Sequence, residues 1–332
     1  MKKYFIIKEK KMKNLKPKIS IIGSGNVGMR YAYALIIKGL ARNLVMVDID
    51  KKRLEGEVMD LSHGAPFISP VDITSGDYPD IENSDIVVIT AGLGQKPGET
   101  RLDLVNKNFN LFKDIIPKIV EYSPDSIYLV ASNPVDILSY ATYIISQKPS
   151  NEIIGSGTVL DTARFRYLLS KHCNINATNV HAYILGEHGD TEFAVWSKAM
   201  IGGTVLKDYC LICNNNHACN NEEELNNIFS QVKNSAYEII ERKGETSYGI
   251  GLALTRITKA ILNDENTILP VSVLIEDYLG INDVYLSLPT ILNKKGVSKI
   301  MKMNLNDDEQ KRFINSAETI KSLIEKVDLS RV

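Results

Sequence analysis

A histidine with a glycine and a carboxylate on each side offers the clearest chemistry in this chain. His188 lies in the stretch Gly186-Glu187-His188-Gly189-Asp190, directly after an apolar, strand-like run from Val180 to Leu185. The glycines remove side-chain bulk, so an imidazole here can stand exposed at a strand end beside a small substrate. Imidazole also titrates near neutral pH. We therefore predict that His188 is a general acid and base, with a simple turn histidine as the alternative.

Asp161 and Arg164 are the candidates for the partners of this histidine. They are three residues apart in the segment Leu160-Asp161-Thr162-Ala163-Arg164, which places them on one face of a helical start. A carboxylate would orient the imidazole and stabilise its protonated form. A guanidinium would bind a substrate carboxylate through two parallel hydrogen bonds. The alternative is an ordinary ion pair on a helix surface.

Two further candidates follow buried, strand-like runs. The segment from Gly92 to Arg101 follows the run Ile86–Ile89 and carries three glycines and a proline, a composition typical of a flap over a ligand site. Arg101 would polarise a carbonyl oxygen when the flap closes. Asn133, after the run Ile127–Val130, would donate to the same oxygen. The alternatives are a solvated arginine and a helix-capping asparagine.

The segment from Gly23 to Gly28 fits the pattern GxGxxG between a strand-like run and a helical pattern. Gly23 and Gly25 would allow a tight turn and a close approach to a pyrophosphate, and Gly28 would allow close packing of helix on strand. Asp48 ends the next strand about 20 residues beyond Gly28, where a carboxylate accepts hydrogen bonds from ribose hydroxyls and repels a 2′-phosphate. The pattern predicts NAD rather than NADP, with an ordinary tight turn as the alternative.

Composition limits the classes of partner. The chain has 332 residues, of which 44% are apolar and 24% charged, with a net charge of -1. This balance provides no field to attract nucleic acid or an anionic membrane. Four cysteines (Cys173, Cys210, Cys213 and Cys219) do not make a disulfide framework and favour a reducing cytoplasm. The segment from Tyr209 to Asn220 also invites a zinc interpretation, but its spacing favours a loop insertion, and we predict no metal.

Strands alternate with helices in the first half of the chain, which predicts an α/β protein with a Rossmann-type doubly wound parallel sheet. A mixed α+β substrate domain follows, in which a strand-like run is expected from Val180 to Leu185. We expect a solvated N-terminal tail over 1–16, in which Met12 is a second candidate start, an NAD-binding domain over 17–150 and a substrate domain over 151–332.

Six motifs, in order, resemble the bacterial L-lactate dehydrogenases of the lactate/malate dehydrogenase family: GSGNVG, AGLGQKPGETR, ASNPVD, DTAR, GEHGD and KGETSYGIG. The resemblance extends from Lys18 to the last helix. It implies NAD-dependent interconversion of pyruvate and L-lactate. His188 is then the proton donor and acceptor, Asp161 its partner and Arg164 the carboxylate clamp, while Arg101 and Asn133 polarise the keto oxygen and Thr246 lines the pocket. The implied NAD contacts are Gly23, Gly25, Val27, Gly28, Asp48, Arg53, Tyr78, Gly92, Leu93, Ala131, Ser132 and Asn133.

Gln95 provides a physical argument on substrate choice. In the related malate dehydrogenases an arginine at this flap position neutralises a second carboxylate. Glutamine has no charge, so oxaloacetate would bury an unpaired anion there, whereas pyruvate would not. The alternatives are a malate or other 2-hydroxy-acid dehydrogenase and a non-catalytic NAD-binding regulator.

Arg166 and His181 match the residues that bind fructose 1,6-bisphosphate in the allosteric members of the family. The resemblance therefore implies activation by this sugar bisphosphate, a homotetramer and a role in fermentative glycolysis. An arginine in an ion pair and a solvent-facing strand histidine are the alternatives. The chain departs from the family in the Tyr209–Asn220 insertion and in Tyr248-Gly249, where many members have Trp-Ala.

Overall fold

The computed structural model describes residues 17–94, 98–212 and 222–327. Its first half is a parallel sheet with helical crossovers. The strands are β1 (Lys18–Ile22), β2 (Asn43–Val47), β3 (Asp72–Gly76), β4 (Ile86–Ile89), β5 (Ile127–Val130) and β6 (Ile153–Gly155). The helices are α1 (Asn26–Lys38), α2 (Lys51–His63), α3 (Arg101–Tyr122) and α4 (Val135–Ser146). The strand order β3-β2-β1-β4-β5-β6 reverses direction between β1 and β4, which is where doubly wound sheets bind ligands.

The second half adds helices and antiparallel strands. Its helices are α5 (Val159–His172), α6 (Leu206–Ile212), α7 (Glu222–Lys243), α8 (Tyr248–Leu262) and α9 (Asp307–Lys326). Its short strands are β7 (Val180–His181), β8 (Ile184–Leu185), β9 (Phe193–Ala194), β10 (Met200–Ile201) and β11 (Thr204–Val205), and its long ones are β12 (Thr267–Ile275), β13 (Val284–Asn293) and β14 (Gly296–Ile300). In the described part of the chain, β12, β13 and β14 extend the parallel sheet to nine strands. The predicted fold class is confirmed.

The central strands are buried on both faces because helices cover the sheet on both sides. Ile21 and Val88 belong to the core on one face, while Ile22 and Ile89 belong to the core on the other. The near-continuous apolar runs that predicted these strands follow from this double burial.

The prediction of one continuous strand from Val180 to Leu185 is wrong. The chain forms two short strands instead, β7 paired with β10 and β8 paired with β9. The Thr162 hydroxyl accepts from the backbone N–H of Ile184 at 2.9 Å, and the Thr158 hydroxyl donates to the Ile184 carbonyl at 2.6 Å. Side chains of α5 and its N-terminal flank therefore bond to the backbone of β8 at Ile184.

Two elements, α2 and β3, are not apparent from the apolar pattern. β3 is one of the two edge strands of the sheet, and Ile73 is its buried residue. A half-exposed edge strand lacks the apolar run by which the buried strands were predicted.

The domain boundary predicted at residue 150 remains a prediction. The parallel sheet continues across it into β6, and the antiparallel strands of the second half join the sheet at β6. Among the described residues, no helix combines the length and apolar character needed to cross a membrane.

Candidate active site

The side chains of His188 and Arg164 meet on the carboxylate of Asp161. His188 Nδ1 lies 2.7 Å from Asp161 Oδ2, and Arg164 Nη1 lies 2.8 Å from Asp161 Oδ1. Asp161 is buried in the first turn of α5, three residues before Arg164. The predicted constellation is therefore brought together, with one carboxylate shared by two cationic groups.

The charges within this group shift the pKa values in opposite directions. Burial lowers the pKa of His188, but the charge and hydrogen bond of Asp161 outweigh this effect and raise it to about 9. Burial raises the pKa of Asp161, whereas His188 and Arg164 lower it below its usual value. The imidazolium is therefore the favoured form at neutral pH, with Nδ1–H donating to Asp161 and Nε2 left for a substrate.

Arg101 begins α3 and reaches the same loop as His188. Its guanidinium forms an ion pair with the fully buried carboxylate of Glu187, and Nη1 lies 3.7 Å from Asp190 Oδ2. A Cβ on Gly189 would lie 2.8 Å from Glu187 Oε1 and 3.2 Å from Arg101 Nη2. Glycine is therefore needed after His188 because a side chain would press on the Arg101–Glu187 pair.

The loops after β4 and β5 are joined by a buried asparagine that sequence analysis missed. Asn108 accepts from the backbone N–H of Leu93 at 2.7 Å and donates to the Asn133 carbonyl at 2.8 Å. Ser132 adds a hydroxyl bond to the Ala91 carbonyl at 2.6 Å. The predicted residues Gly92, Leu93, Ala131, Ser132 and Asn133 thus lie on two adjoining loops at the carboxyl edge of the sheet. The side chain of Asn133 is exposed there.

The glycine-rich loop has the form that a dinucleotide pyrophosphate requires. Gly23 has a φ of +99°, and a Cβ there would lie 2.4 Å from the Ala91 nitrogen. A Cβ on Gly28 would lie 2.2 Å from the Gly23 carbonyl oxygen, whereas Gly25 faces open space. The α1 N-terminus at Gly25 has no side-chain cap, so its N–H groups are available to an anion. The Ser24 hydroxyl is buried and has no hydrogen-bond partner among the residues that the structure describes. These residues fit the phosphate groups of NAD.

Asp48 lies at the end of β2 and bonds back to this loop. Its two oxygens accept from the backbone N–H groups of Ser24 at 2.6 Å and Asp50 at 3.0 Å. Val27 packs on the core from α1. Arg53 is exposed in α2 and pairs with Glu57 at 3.5 Å, and the Tyr78 ring packs under the Lys118 ammonium. The roles of Arg53 and Tyr78 toward a cofactor stay predictions.

The remaining predicted residues fall in three places. Thr246 is half-buried between α7 and α8. Three residues later, Gly249 packs against α5, since a Cβ there would lie 2.8 Å from Leu160 Cδ1. Arg166 and His181 line one cavity of about 650 Å³, away from His188. Gln95, most of the Tyr209–Asn220 insertion and the tail over 1–16 lie outside the described residues.

Sequence analysis assigned no role to Asp136, Ser272 or Glu187, although Glu187 lies in the histidine motif itself. Asp136 Oδ2 accepts from the His188 backbone N–H at 2.7 Å, and Oδ1 accepts from the Ser272 hydroxyl at 2.6 Å. Asp136 immediately follows the Asn-Pro-Val turn, and this position in the sequence could have identified it as a candidate site residue.

Comparison with known proteins agrees with this geometry. The family model described as lactate/malate dehydrogenase, NAD binding domain, matches residues 17–155, and the model of the alpha/beta C-terminal domain of the same family matches residues 158–329. An L-lactate dehydrogenase of Clostridium botulinum is 53% identical over 307 residues, covering 92% of this chain and 96% of the relative. L-lactate dehydrogenase 1 of Clostridium acetobutylicum is 52% identical, covering 93% of this chain and 98% of the relative.

Solved structures give the same result. The ligand-bound minor L-lactate dehydrogenase of Enterococcus mundtii is 40% identical with a TM-score of 0.90, covering 95% of this chain and 99% of that one. A lactate dehydrogenase from a Medee basin deep-sea metagenome is 46% identical with a TM-score of 0.89, covering 93% and 98%. The family resemblance and the NAD cofactor predicted from sequence are confirmed. The chain therefore belongs to the lactate/malate dehydrogenase family of NAD-dependent oxidoreductases.

Proposed function

We propose that this protein is an L-lactate dehydrogenase that interconverts pyruvate and (S)-lactate. The observation that carries the proposal is the shared Asp161 carboxylate, 2.7 Å from His188 and 2.8 Å from Arg164. This carboxylate contacts both an imidazole, which in our proposal donates the proton, and a guanidinium, which in our proposal binds the carboxylate of a 2-oxo acid. NAD, when bound, supplies or accepts the hydride.

His188 handles the proton of this reaction. In pyruvate reduction the imidazolium gives its Nε2 proton to the carbonyl oxygen as the carbon is reduced, and Asp161 stabilises the cation and orients the ring. In lactate oxidation the neutral imidazole takes the hydroxyl proton. Arg164 holds the substrate carboxylate, and Arg101 and Asn133 stabilise charge on the reacting oxygen.

Replacing His188 by Asn tests this proposal. We expect pyruvate reduction, followed by the loss of NADH absorbance, to fall by at least about 10²-fold, because general acid catalysis contributes this much. NADH binding, followed by fluorescence, is expected to persist. Near-normal turnover in the variant would contradict the role of His188. Absence of pyruvate turnover in the unchanged protein would favour the non-catalytic NAD-binding alternative, and a preference for oxaloacetate would favour the malate dehydrogenase alternative.

Activation by fructose 1,6-bisphosphate is the second part of the proposal. Arg166 and His181 line one cavity, and Arg166 is fixed by a 2.9 Å bond from Nε to the Ala182 carbonyl and by the Tyr183 ring. An arginine and an imidazole at one cavity offer hydrogen-bond donors to a phosphate, although Glu265 also lines this cavity. We expect the sugar bisphosphate to lower the pyruvate KM, Arg166→Ala to abolish this effect, and Lys171→Ala in the same helix to retain it. A pyruvate KM and an assembly state that are both indifferent to the sugar bisphosphate would contradict the proposal.

We further propose a homotetramer that acts in the cytoplasm during fermentative glycolysis. Exposed apolar side chains of α1, the turn after α2 and α8 surround a cavity of about 480 Å³, and Phe67 is the most exposed of these at 88%. Large exposed apolar side chains grouped on one face are typical of an interface. Sedimentation velocity tests the assembly, and a monomer at all concentrations would contradict it.

A further inference from the structure

Glu192 is a buried carboxyl group that has no role in the reaction as described above. It is 7% exposed, four residues after His188. Its neighbours in the chain face elsewhere, since the Thr191 hydroxyl bonds to Glu187 and Phe193 lies in the core. One carboxylate oxygen of Glu192 lies within 4.8 Å of both a nitrogen of His188 and an oxygen of Asp161. Glu192 is thus a second buried acid beside the catalytic pair.

The charged groups around Glu192 come from several elements. Asp161 and Arg164 face it from α5, Lys233 and the titratable Tyr237 from α7, and His188 from its own loop, with Asp136 of α4 behind His188. Burial raises the pKa of Glu192 most, and the negative charge of Asp161 raises it further. His188, Arg164 and Lys233 oppose this increase, and the resulting pKa is about 8. Glu192 therefore carries a proton at neutral pH.

A metal ion is a poorer occupant of this cluster than a proton. Asp161, His188 and Glu192 could each offer one ligand atom. However, Arg164 Nη1 lies 2.8 Å from one Asp161 oxygen, and His188 Nδ1 lies 2.7 Å from the other. A divalent cation would have to displace or face these cationic groups, whereas a proton on Glu192 removes a repulsion between two carboxylates.

We propose that Glu192 is a positioning residue that keeps the site receptive to an anionic substrate by holding a proton, and that its ionisation weakens binding of that anion. The inference rests on the proposed function. When the carboxyl group releases its proton to solvent, a second buried negative charge appears beside Asp161, close to where the substrate carboxylate binds Arg164. The repulsion is strong because the site is shielded from water.

The pyruvate KM at pH 7 and pH 9 tests this inference. In the unchanged protein, ionisation of Glu192 contributes a rise in KM on the order of tenfold over this interval, since a group with a pKa of about 8 is mostly ionised at pH 9. Glu192→Gln has a similar shape but cannot ionise, so it lacks this factor. Glu192→Asp retains an ionisable group and restores a rise. The same KM ratio in the Gln variant and the unchanged protein would overturn the proposal.

Glu309→Gln is the matched control. Glu309 is also a buried carboxyl, but its carboxylate accepts from the N–H and hydroxyl of Ser197 and from the backbone N–H of Asn306, the N-cap of α9. We expect this variant to keep the pH ratio of the unchanged protein. A purely structural role for Glu192 would lower turnover and thermal stability at both pH values without altering the KM ratio.

Infrared spectroscopy gives a readout that needs no turnover. With 13C-labelled glutamate, the unchanged protein is expected to show an isotope-shifted C=O band of a protonated carboxyl at pH 7. This band should weaken as the pH rises above 8 and be missing in Glu192→Asp and Glu192→Gln. Its absence at pH 7 would overturn the inference even if one variant failed to fold. Absence of pyruvate turnover in the unchanged protein would instead contradict the proposed function. The infrared measurement would still report whether Glu192 carries a proton.

Discussion

The backbone N–H of His188 donates to the buried carboxylate of Asp136 at 2.7 Å, which ties the histidine loop to the first turn of α4. The second oxygen of Asp136 accepts from the Ser272 hydroxyl of β12 at 2.6 Å. A single carboxylate therefore joins three segments that are distant in sequence. The position of the His188 ring depends on this junction as well as on Asp161.

Asp136→Ala is expected to lower both stability and activity. It leaves the His188 N–H and the Ser272 hydroxyl without their buried acceptor, which costs about 1–3 kcal/mol in the free energy of unfolding. Asp136→Asn keeps an acceptor for His188 and can donate to Ser272, so it should lose less. Urea denaturation and the kcat/KM for pyruvate measure the two effects. Asp72→Ala on the exposed edge strand is the control, and an equal loss there would argue against a specific role for the junction.

The pH dependence follows from the raised pKa of His188. Asp161 outweighs the effect of burial and brings this pKa to about 9. Pyruvate reduction consumes the proton on His188, so its kcat falls as the pH rises through the pKa that this group has in the complex with cofactor and pyruvate. Lactate oxidation needs the neutral imidazole and weakens as the pH falls below that pKa. Asp161→Asn removes the negative charge and should move the pH dependence of both pyruvate reduction and lactate oxidation to lower pH. Measuring kcat at saturating pyruvate separates this effect from the KM effect of Glu192. An unchanged pH dependence of both reactions in the variant would contradict the role of Asp161.

Gly189→Ala tests the close approach of Arg101 to Glu187. The added Cβ would lie 2.8 Å from a fully buried Glu187 oxygen, so the more flexible arginine must yield. We expect kcat for pyruvate reduction to fall by about tenfold or more, because an electrostatic contact to the developing negative charge is misplaced. Gly56→Ala in α2, whose Cβ meets no atom within 4 Å, is the control and should keep full activity. Unchanged kcat in Gly189→Ala would show that the pair is not needed in this position.

Asp48→Ser tests cofactor choice. The carboxylate would repel a 2′-phosphate, and it also holds the Ser24 backbone N–H at 2.6 Å. We expect the kcat/KM ratio of NADPH to NADH to rise by about tenfold, with a higher KM for NADH because the glycine loop loses an anchor. Asp50→Ser at the start of α2 offers a comparison, since Asp50 caps that helix. If NADPH already supports turnover as well as NADH does in the unchanged protein, the role of Asp48 is wrong.

Gln95→Arg tests substrate choice. An arginine can neutralise the second carboxylate of oxaloacetate, whose burial without a partner costs several kcal/mol. The ratio of kcat/KM for oxaloacetate to that for pyruvate is expected to rise by about 10²-fold or more. Gln95→Met, of similar length and without charge, should leave this ratio close to its original value. An unchanged ratio in Gln95→Arg would remove Gln95 from the basis of specificity.

The sequence by itself determined the parallel sheet and the glycine-rich cofactor loop, and it named the candidate site residues that the structure brings together. Buried parallel strands are continuous apolar runs, and the functional residues follow these runs because the carboxyl ends of parallel strands share one edge of the sheet. Asp161 and Arg164 were paired correctly because helical spacing is local information. The glycines of the GxGxxG motif were informative because few other residues fit their backbone.

Only the tertiary structure decided which distant groups support His188. Asp136 and Ser272 are 136 positions apart, and no periodic pattern relates them to each other or to the histidine. Glu192 looks like an ordinary loop carboxylate in the sequence, and its meaning depends on burial beside Asp161, which is created by packing of α5, α7 and the histidine loop. The division of the expected strand Val180–Leu185 into two likewise depends on pairing partners from later in the chain, since β7 pairs with β10 and β8 pairs with β9. Local pattern reports the burial of each element, but contacts between elements exist only once the chain has packed.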